Sequence, residues 1–242
     1  MERSYSGGGI GQVGSLPGAS AWIVDPPRNW SARSYVKAIQ LRTNMLPTKG
    51  IPSNPEHARR CRAGCNKVES LSHVLQACPV TYDKRIRRHD HLCQLVGGMA
   101  KDKGWEVEFE PKIRMANGEL RKPDILLSRG GRSLVVELAV HWEGPRNLRA
   151  SWQLKMDKYN TSEFIKALSK KKSIDESAIS IGPVVVGARG GWTESNDPIC
   201  DMIGLTRGDR VKIVTDTAGR CDGLPDICRA GVNNAMCDMI FF

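Results

Sequence analysis

Two acidic residues are placed where a glycine turn would bring their carboxylates together. Gly130-Gly131 joins two stretches with strand patterns. If these glycines form a two-residue hairpin loop, Asp124 and Glu137 face each other, and opposed residues have Cβ atoms ~4.5–5.5 Å apart. Like charges at that distance repel unless a cation lies between them. Because Mg²⁺ binds through one or two carboxylates and keeps several waters, the pair predicts a site for Mg²⁺ or Mn²⁺.

The repulsion between the two acids has other solutions. One carboxyl could be protonated, or it could pair with Arg121 or Arg132. Glu137 is the only charged residue in its apolar stretch, so some partner is needed to avoid burying a bare charge. These alternatives stay open beside the metal site, and Glu119 and Glu143 are nearby acids that could join it.

A lysine on the following helix is the third candidate. At about 100° per residue, Lys155 falls in one stripe with Leu148, Trp152 and Tyr159, so its ammonium would point toward the sheet. Two carboxylates, a divalent metal and a lysine can hydrolyse a phosphodiester, the lysine steadying hydroxide or the developing phosphorane charge. Lys158 and Tyr159 are second candidates for a catalytic role. Alternatively, the Lys155 stem lies along the apolar face and its ammonium reaches solvent at the margin of the helix.

Four residues have the spacing of a zinc knuckle. Cys61, Cys65, His73 and Cys78 lie within eighteen residues, and Gly64 allows a tight turn between the first two thiolates. Zinc takes four nitrogen or sulfur ligands in a tetrahedron, so this set predicts a closed, structural Zn²⁺ site. His57 and Cys93 are substitutes for a misassigned ligand, and scattered buried thiols are the alternative.

The positive charge is concentrated in one segment. Residues 28–91 contain thirteen Lys or Arg and four acids, so nearly all of the net charge of +10 lies there. Such a segment favours contact with a phosphate backbone, although a merely soluble surface has the same composition. We predict phosphate contacts from the start of the helix after the knuckle, by Lys84, Arg85, Arg87 and Arg88.

Periodicity and breaker residues predict a mixed α/β (α+β) fold. Ser31–Met45 and Lys84–Lys103 have helical patterns, Ser31 is an N-cap residue, and Asn117-Gly118 is a hairpin turn. A helix is also predicted over Asn147–Tyr159, continuing toward Lys172. Strands are predicted over Trp105–Met115, Leu120–Ser128, Ser133–Val140, Val184–Ala188 and Val211–Val214.

These elements suggest four segments. Residues 1–29, rich in Gly, Ser and Pro, are expected to form a flexible arm. Residues 30–83 would hold the basic helix and knuckle, residues 84–215 the carboxylate domain, and residues 216–242 a tail of unknown structure. Without a secretory signal or membrane-spanning stretch, we expect an intracellular protein with no membrane partner.

The carboxylate motif resembles a known nuclease signature. Pro123-Asp124, followed after twelve residues by Glu137, is similar to the PD-(D/E)xK motif of restriction-like endonucleases, whose core has the order helix, three strands, helix, strand (αβββαβ). The sequence departs from that motif at Ala139, where a lysine is expected. Lys155 resembles the variant in which the next helix supplies it.

Several motifs together resemble the C-terminal region of the R-two-type (R2-type) non-LTR retrotransposon protein. They are Ala38-Ile39-Gln40-Leu41-Arg42-Thr43-Asn44-Met45-Leu46-Pro47-Thr48, the Cys61 to Cys78 knuckle, Arg85-Ile86-Arg87-Arg88-His89-Asp90, Arg121-Lys122-Pro123-Asp124 and Lys155-x2-Lys158-Tyr159.

The resemblance implies a CCHC knuckle and a Mg²⁺-dependent nuclear endonuclease that nicks target DNA to prime reverse transcription. The expected partners are ribosomal RNA gene DNA and element RNA, and we expect the family's reverse transcriptase to be absent from this chain. The rival interpretation is a decayed or host-adopted nucleic-acid binder without catalysis.

Overall fold

The structure is a computed structural model that describes residues 8–28, 30–144 and 148–219. It is a mixed α/β arrangement with a four-stranded sheet and helices on both of its faces. The helices are α1 (Ile10–Val13), α2 (Ala32–Arg42), α3 (Leu71–Gln76), α4 (Tyr82–Asp102), α5 (Leu148–Tyr159), α6 (Ser162–Lys172), α7 (Asp197–Ile203) and α8 (Arg207–Gly219). The strands are β1 (Glu106–Phe109), β2 (Ile113–Arg114), β3 (Leu120–Arg121), β4 (Ile125–Arg129), β5 (Arg132–His141) and β6 (Ile179–Gly187).

The main sheet has the order β1-β4-β5-β6. Its first three strands are antiparallel, and β6 runs parallel to β5. A parallel neighbour needs a long crossover, and α5 and α6 provide it. The glycine turn is as predicted: Arg129 pairs with Arg132, and Gly130 and Gly131 have φ of 55° and 74°. Positive φ at both positions is the type I′ geometry that glycine favours.

Residue alternation assigns each strand side chain to a face of the sheet. On β4 and β5, Leu127 and Val136 join the core under α4, α7 and α8, whereas Leu126 and Val135 pack against α6. Because side chains alternate along a strand, Glu137 shares the face of Val135 and Ala139, which is the face that α5 covers. The prediction that β5 is buried on both faces is confirmed.

Two predicted strands are each interrupted. The stretch predicted as Trp105–Met115 divides into β1 and β2, because Glu110 adopts a φ of 47° and Pro111 cannot donate a ladder hydrogen bond. The stretch predicted as Leu120–Ser128 divides into β3 and β4 before Asp124. Strands β2 and β3 form a separate hairpin around the predicted Asn117-Gly118 turn.

Two helical expectations also change. The helix predicted from Asn147 toward Lys172 becomes α5 and α6, because the Thr161 hydroxyl accepts a hydrogen bond from the Phe164 amide and begins a new helix. The strand predicted at Val211–Val214 is wrong, since these residues lie inside α8. A short apolar run fits a buried helix as well as a strand, and here the helix forms.

The prediction of a flexible arm is wrong for residues 8–28. Leu16 and Ala19 lie in the main core, and the Ser15 hydroxyl donates to the Trp192 carbonyl at 2.7 Å. Composition misled because a few apolar residues among the glycines are enough to anchor the segment. Residues 1–7 lie outside the described part.

The remaining boundaries stay predictions. Residues 216–219 of the predicted tail complete α8, and the rest of that tail lies outside the described residues. Within the described ranges, no helix has both the length and the apolar character required to cross a membrane.

Adjacent glycines of α4 give a matched test of helix-to-sheet packing. A Cβ at Gly97 would lie 2.6 Å from the Phe109 ring, whereas a Cβ at Gly98 meets nothing within 4 Å. We expect Gly97→Ala to destabilise the fold by about 1–3 kcal/mol through overpacking. Gly98→Ala should stabilise it by about 0.5–1 kcal/mol through helix propensity. Urea denaturation measures both, and equal effects would contradict this packing.

Candidate zinc centre and carboxylate site

The four predicted zinc ligands converge. One ligand atom from each of Cys61, Cys65, His73 and Cys78 lies within 4.8 Å of the others. The Cys61 and Cys78 sulfurs are 3.9 Å apart, and the Cys65 sulfur is 3.2 Å from His73 Nε2. Tetrahedral ligands about 2.0–2.3 Å from zinc lie roughly 3.3–3.8 Å from one another. The cluster could therefore hold a zinc ion with all four positions supplied by protein.

A short loop and a helix position these ligands. Gly64 has a φ of 76°, which allows the chain to reverse between the first two cysteines. The Cys61 amide donates to the Lys67 carbonyl at 2.8 Å and closes the loop. Ser70 caps α3, which presents His73. The substitute ligands are not used: His57 is exposed and Cys93 lies in a different cluster.

A buried acid fixes the loop from behind. Glu69 is 1% exposed and accepts hydrogen bonds from the backbone amides of Lys49 and Arg62. It also pairs with the Arg62 guanidinium at 2.8 Å. These contacts hold the loop that carries the ligands to the preceding segment, although few apolar residues are buried around that loop.

The side chains of Asp124 and Glu137 each accept a hydrogen bond from a backbone amide across the two segments. The Asp124 amide donates to Glu137 Oε1 at 3.0 Å, and the Leu138 amide donates to Asp124 Oδ2 at 2.7 Å. The β4–β5 register continues to this point, since Ile125 pairs with Val136. The predicted register across the glycine turn is confirmed as far as Ile125 and Val136, and a cation shared by the two carboxylates and their catalytic role stay predictions.

Lys155 faces the buried glutamate. Its Nζ lies 3.0 Å from Glu137 Oε2, and the Glu137 side chain is 2% exposed. Burial raises the pKa of Glu137, the Asp124 charge adds to that effect, and Lys155 opposes it. Of the alternatives, Arg121 pairs with Glu119 instead, and Arg132 lies at the glycine turn beside another cleft.

The second candidates have different surroundings. The Tyr159 hydroxyl donates to the Lys122 carbonyl at 2.9 Å, and so holds the segment that leads into Asp124. Burial raises the pKa of Tyr159, and the Glu137 charge contributes. Lys158 is exposed, with its ammonium 4.7 Å from the centre of the Tyr159 ring.

Sequence reasoning missed His89. Its Nε2 lies 3.3 Å from Asp124 Oδ2, and Cys93, one helical turn later, is also adjacent. The Asp124 hydrogen bond, followed by that of Cys93, raises the pKa of His89 to about 11. Burial acts to raise the pKa of Asp124, but His89 and the Leu138 amide lower it overall. The only signal was the i, i+4 spacing of a histidine and a cysteine in a helix.

The predicted phosphate contacts are only partly available. Arg88 is 9% exposed and donates to the Leu75 carbonyl, so its predicted phosphate contact is wrong. Arg85 donates to the Cys78 carbonyl at 2.7 Å and is half-buried. Both arginines connect α4 to the cysteine–histidine cluster. Their guanidinium groups bind backbone carbonyls and are not free to contact phosphate. Lys84 is half-buried and Arg87 is exposed.

The glutamates considered as additional ligands are engaged elsewhere. Glu143 is fully buried and accepts from the Arg189 and Gly191 amides, and its carboxylate also contacts the Arg189 guanidinium. Glu119 pairs with Arg121. Neither glutamate therefore joins Asp124 and Glu137 as a further metal ligand.

Comparison with known proteins gives a consistent set of relatives. The chain is 43% identical over 208 residues to a "Retrovirus-related Pol polyprotein from type-1 retrotransposable element R2" of Popillia japonica, covering 86% of this chain and 42% of the relative. It is 29% identical to an R2 Pol polyprotein of Bradysia coprophila, covering 76% of this chain and 21% of the relative. It is 27% identical to the R2DM polyprotein of Drosophila melanogaster, covering 69% of this chain and 16% of the relative. No family model matches the chain.

The mixed α/β fold, the cysteine–histidine cluster and these similarities define a protein of retrotransposon origin. More particularly, the chain is a homologue of the Pol polyproteins of R2 retrotransposons. It spans less than half the length of these relatives, so it corresponds to one part of such a protein.

The raised pKa of His89 predicts a pH-dependent contribution to stability. Protonated His89 is favoured in the fold, so its contribution is complete below its ordinary pKa of 6.5 and is lost as the pH rises through about 11. We expect the difference in unfolding free energy between the unchanged chain and His89→Ala to shrink across that window. Urea denaturation without added metal measures it. His91→Ala, which removes a neighbouring histidine paired with Asp216, is the control, and a constant difference for His89→Ala would contradict the prediction.

Proposed function

We propose that this chain is the metal-dependent DNA endonuclease module of an R2 retrotransposon protein. The observation that carries the proposal is the joining of Asp124, Glu137 and Lys155 at one end of a β hairpin, with Lys155 3.0 Å from Glu137. Paired carboxylates beside a lysine form a site suited to phosphodiester hydrolysis.

The order of elements supports a restriction-like core. Helix α4 is followed by β1, β4 and β5, then by the α5–α6 crossover and β6. This matches the αβββαβ order that the motif resemblance implies, with the small β2–β3 hairpin as an insertion. We propose that the fold belongs to the PD-(D/E)xK class on this basis.

The carboxylate pair fits a hard divalent cation. Glu137 accepts from the Asp124 amide on Oε1 and from Lys155 on Oε2, and the contacts of the Asp124 carboxylate with His89 and with the Leu138 amide are both through Oδ2. Asp124 and Glu137 would hold Mg²⁺ or Mn²⁺ through these oxygens. Such an ion, when bound, polarises a phosphoryl oxygen and lowers the pKa of a bound water.

Lys155 supplies the positive charge that the protein itself contributes. Glu137 holds its ammonium at the carboxylate pair, where it can donate hydrogen bonds to a phosphate oxygen or to water. Ala139, at the usual lysine position, is 6% exposed and packs in a cluster with Leu148. The lysine therefore comes from α5, on the side of the sheet that Glu137 faces.

The wider role is proposed from the motif resemblance to R2-type retrotransposon proteins. We propose that the module nicks target DNA in the nucleus, within a ribosomal RNA gene, so that the free 3′ end primes reverse transcription. The zinc knuckle and exposed basic residues such as Arg87 would hold DNA or element RNA through phosphates, which raises affinity without selecting sequence.

Substitutions at the site test the proposal. We expect Asp124→Asn and Lys155→Ala each to lower Mg²⁺-dependent nicking of plasmid DNA containing ribosomal gene sequence by about 10²-fold or more. Lys158→Ala, on the same helix but against the Tyr159 ring, should have a much smaller effect. Nicking is measured on supercoiled plasmid, and DNA binding is measured separately by anisotropy.

A paired control separates catalysis from binding and folding. Glu119→Gln neutralises an acid that pairs with Arg121 outside the site, and it should retain nicking. DNA binding should persist in Asp124→Asn. Binding by the intact chain without Mg²⁺- or Mn²⁺-dependent nicking would instead favour the non-catalytic binder.

A further inference from the structure

A second set of metal-ligand side chains lies between α4 and the start of β4. One ligand atom from each of His89, Cys93 and Asp124 lies within 4.8 Å of the other two. His89 Nε2 is 3.3 Å from Asp124 Oδ2 and 4.0 Å from the Cys93 sulfur. These separations are close to the roughly 3.3–3.8 Å expected between ligands of a tetrahedral zinc ion.

The backbone explains why the three groups meet. His89 and Cys93 are four residues apart on α4 and so share one face of that helix. Asp124 comes directly before β4, where its carboxylate lies beside His89 of α4 and accepts from the Leu138 amide of β5, while its own amide donates to Glu137. Asp124 thus belongs to two neighbouring groups of side chains.

The surroundings suit a cation with one position open. The three side chains line a cleft of about 310 Å³, which leaves space for water or another ligand at the fourth position. Asp90 and Glu110 also line this cleft, and none of the described residues that line it is a lysine or an arginine. The donor types differ from those of the carboxylate pair, because thiolate and imidazole favour Zn²⁺ over Mg²⁺.

We propose that His89, Cys93 and Asp124 form a second zinc site, distinct from the Cys61 to Cys78 cluster. A zinc ion bound there occupies Asp124 and withdraws it from the Mg²⁺ site. On this account zinc inhibits the nuclease, a consequence that rests on the proposed function, whereas zinc binding itself does not.

Metal binding tests the site without using DNA cleavage. The full chain is titrated with Zn²⁺ against a chromophoric chelator, and then with Co²⁺ while thiolate-to-metal absorption is recorded. We expect two equivalents of zinc. Cys93→Ser and His89→Ala should retain the knuckle equivalent and bind the second at least about tenfold more weakly, because loss of even an outer-shell partner costs 10–100-fold.

Matched variants show whether the effect is local. His91→Ala removes a histidine from the same helix, and Cys200→Ser changes another fully buried thiol, so both should retain two equivalents. Cys61→Ser should lose the knuckle equivalent and keep the second. Retention of the knuckle metal together with an unchanged circular dichroism spectrum shows that a variant has folded.

The outcomes separate this proposal from the nuclease proposal. A single equivalent in the unchanged chain, or an unchanged second equivalent in folded Cys93→Ser, overturns the zinc site whatever the nicking assay shows. If two equivalents bind, zinc should inhibit Mg²⁺-dependent nicking, and the inhibition midpoint of Cys93→Ser, relative to its own activity, should rise about tenfold or more. An unchanged midpoint would overturn the shared role of Asp124, and absence of nicking alone would count only against the nuclease.

Discussion

The candidate active site depends on two hydrogen bonds, from the Asp124 amide to the Glu137 carboxylate and from the Leu138 amide to the Asp124 carboxylate. Each carboxylate accepts an amide from the neighbouring strand, at 3.0 Å and 2.7 Å, so the two acids are fixed by the β4–β5 register itself. The Gly130-Gly131 turn sets that register. A slip of one residue would send Glu137 to the opposite face of the sheet. Lys155 and His89 then approach the pair from opposite sides.

A second constraint connects the zinc cluster to the sheet domain. Arg85 and Arg88 of α4 donate to carbonyls of the knuckle, and His89 of the same helix contacts Asp124. One rigid helix therefore relates a candidate nucleic-acid-binding element to the candidate cleavage site. Buried Arg42 adds another connection, because it donates to the carbonyls of Ala19 and Arg189.

Local rules predicted the parts of the site that depend on strand register and helix period. The glycine turn predicted the β4–β5 register, the stripe on α5 predicted that Lys155 faces the sheet, and ligand spacing predicted the cysteine–histidine cluster. The predictions failed where packing between distant segments determines the local structure. Val211–Val214 joins a buried helix, the described part of the Gly-rich N-terminal segment packs into the core, and Arg88 binds a carbonyl.

His89 shows what a single sequence conceals. Its partner, Asp124, is thirty-five residues away, and only the packing of α4 against the sheet brings them together. A basic helix read for its charge alone gives no reason to separate His89 from its neighbours. The same packing leaves Arg87 exposed and Arg88 buried, although the two are adjacent and equally charged.

We propose that Asp124 and Glu137 share one hard divalent cation. A crystal of this chain soaked in Mn²⁺, with anomalous data collected on both sides of the manganese absorption edge, tests it directly. We expect a manganese peak coordinated by an oxygen of each carboxylate, with Lys155 still adjacent to Glu137. Absence of manganese at a fully ordered pair, or coordination by only one of the two acids, would contradict it.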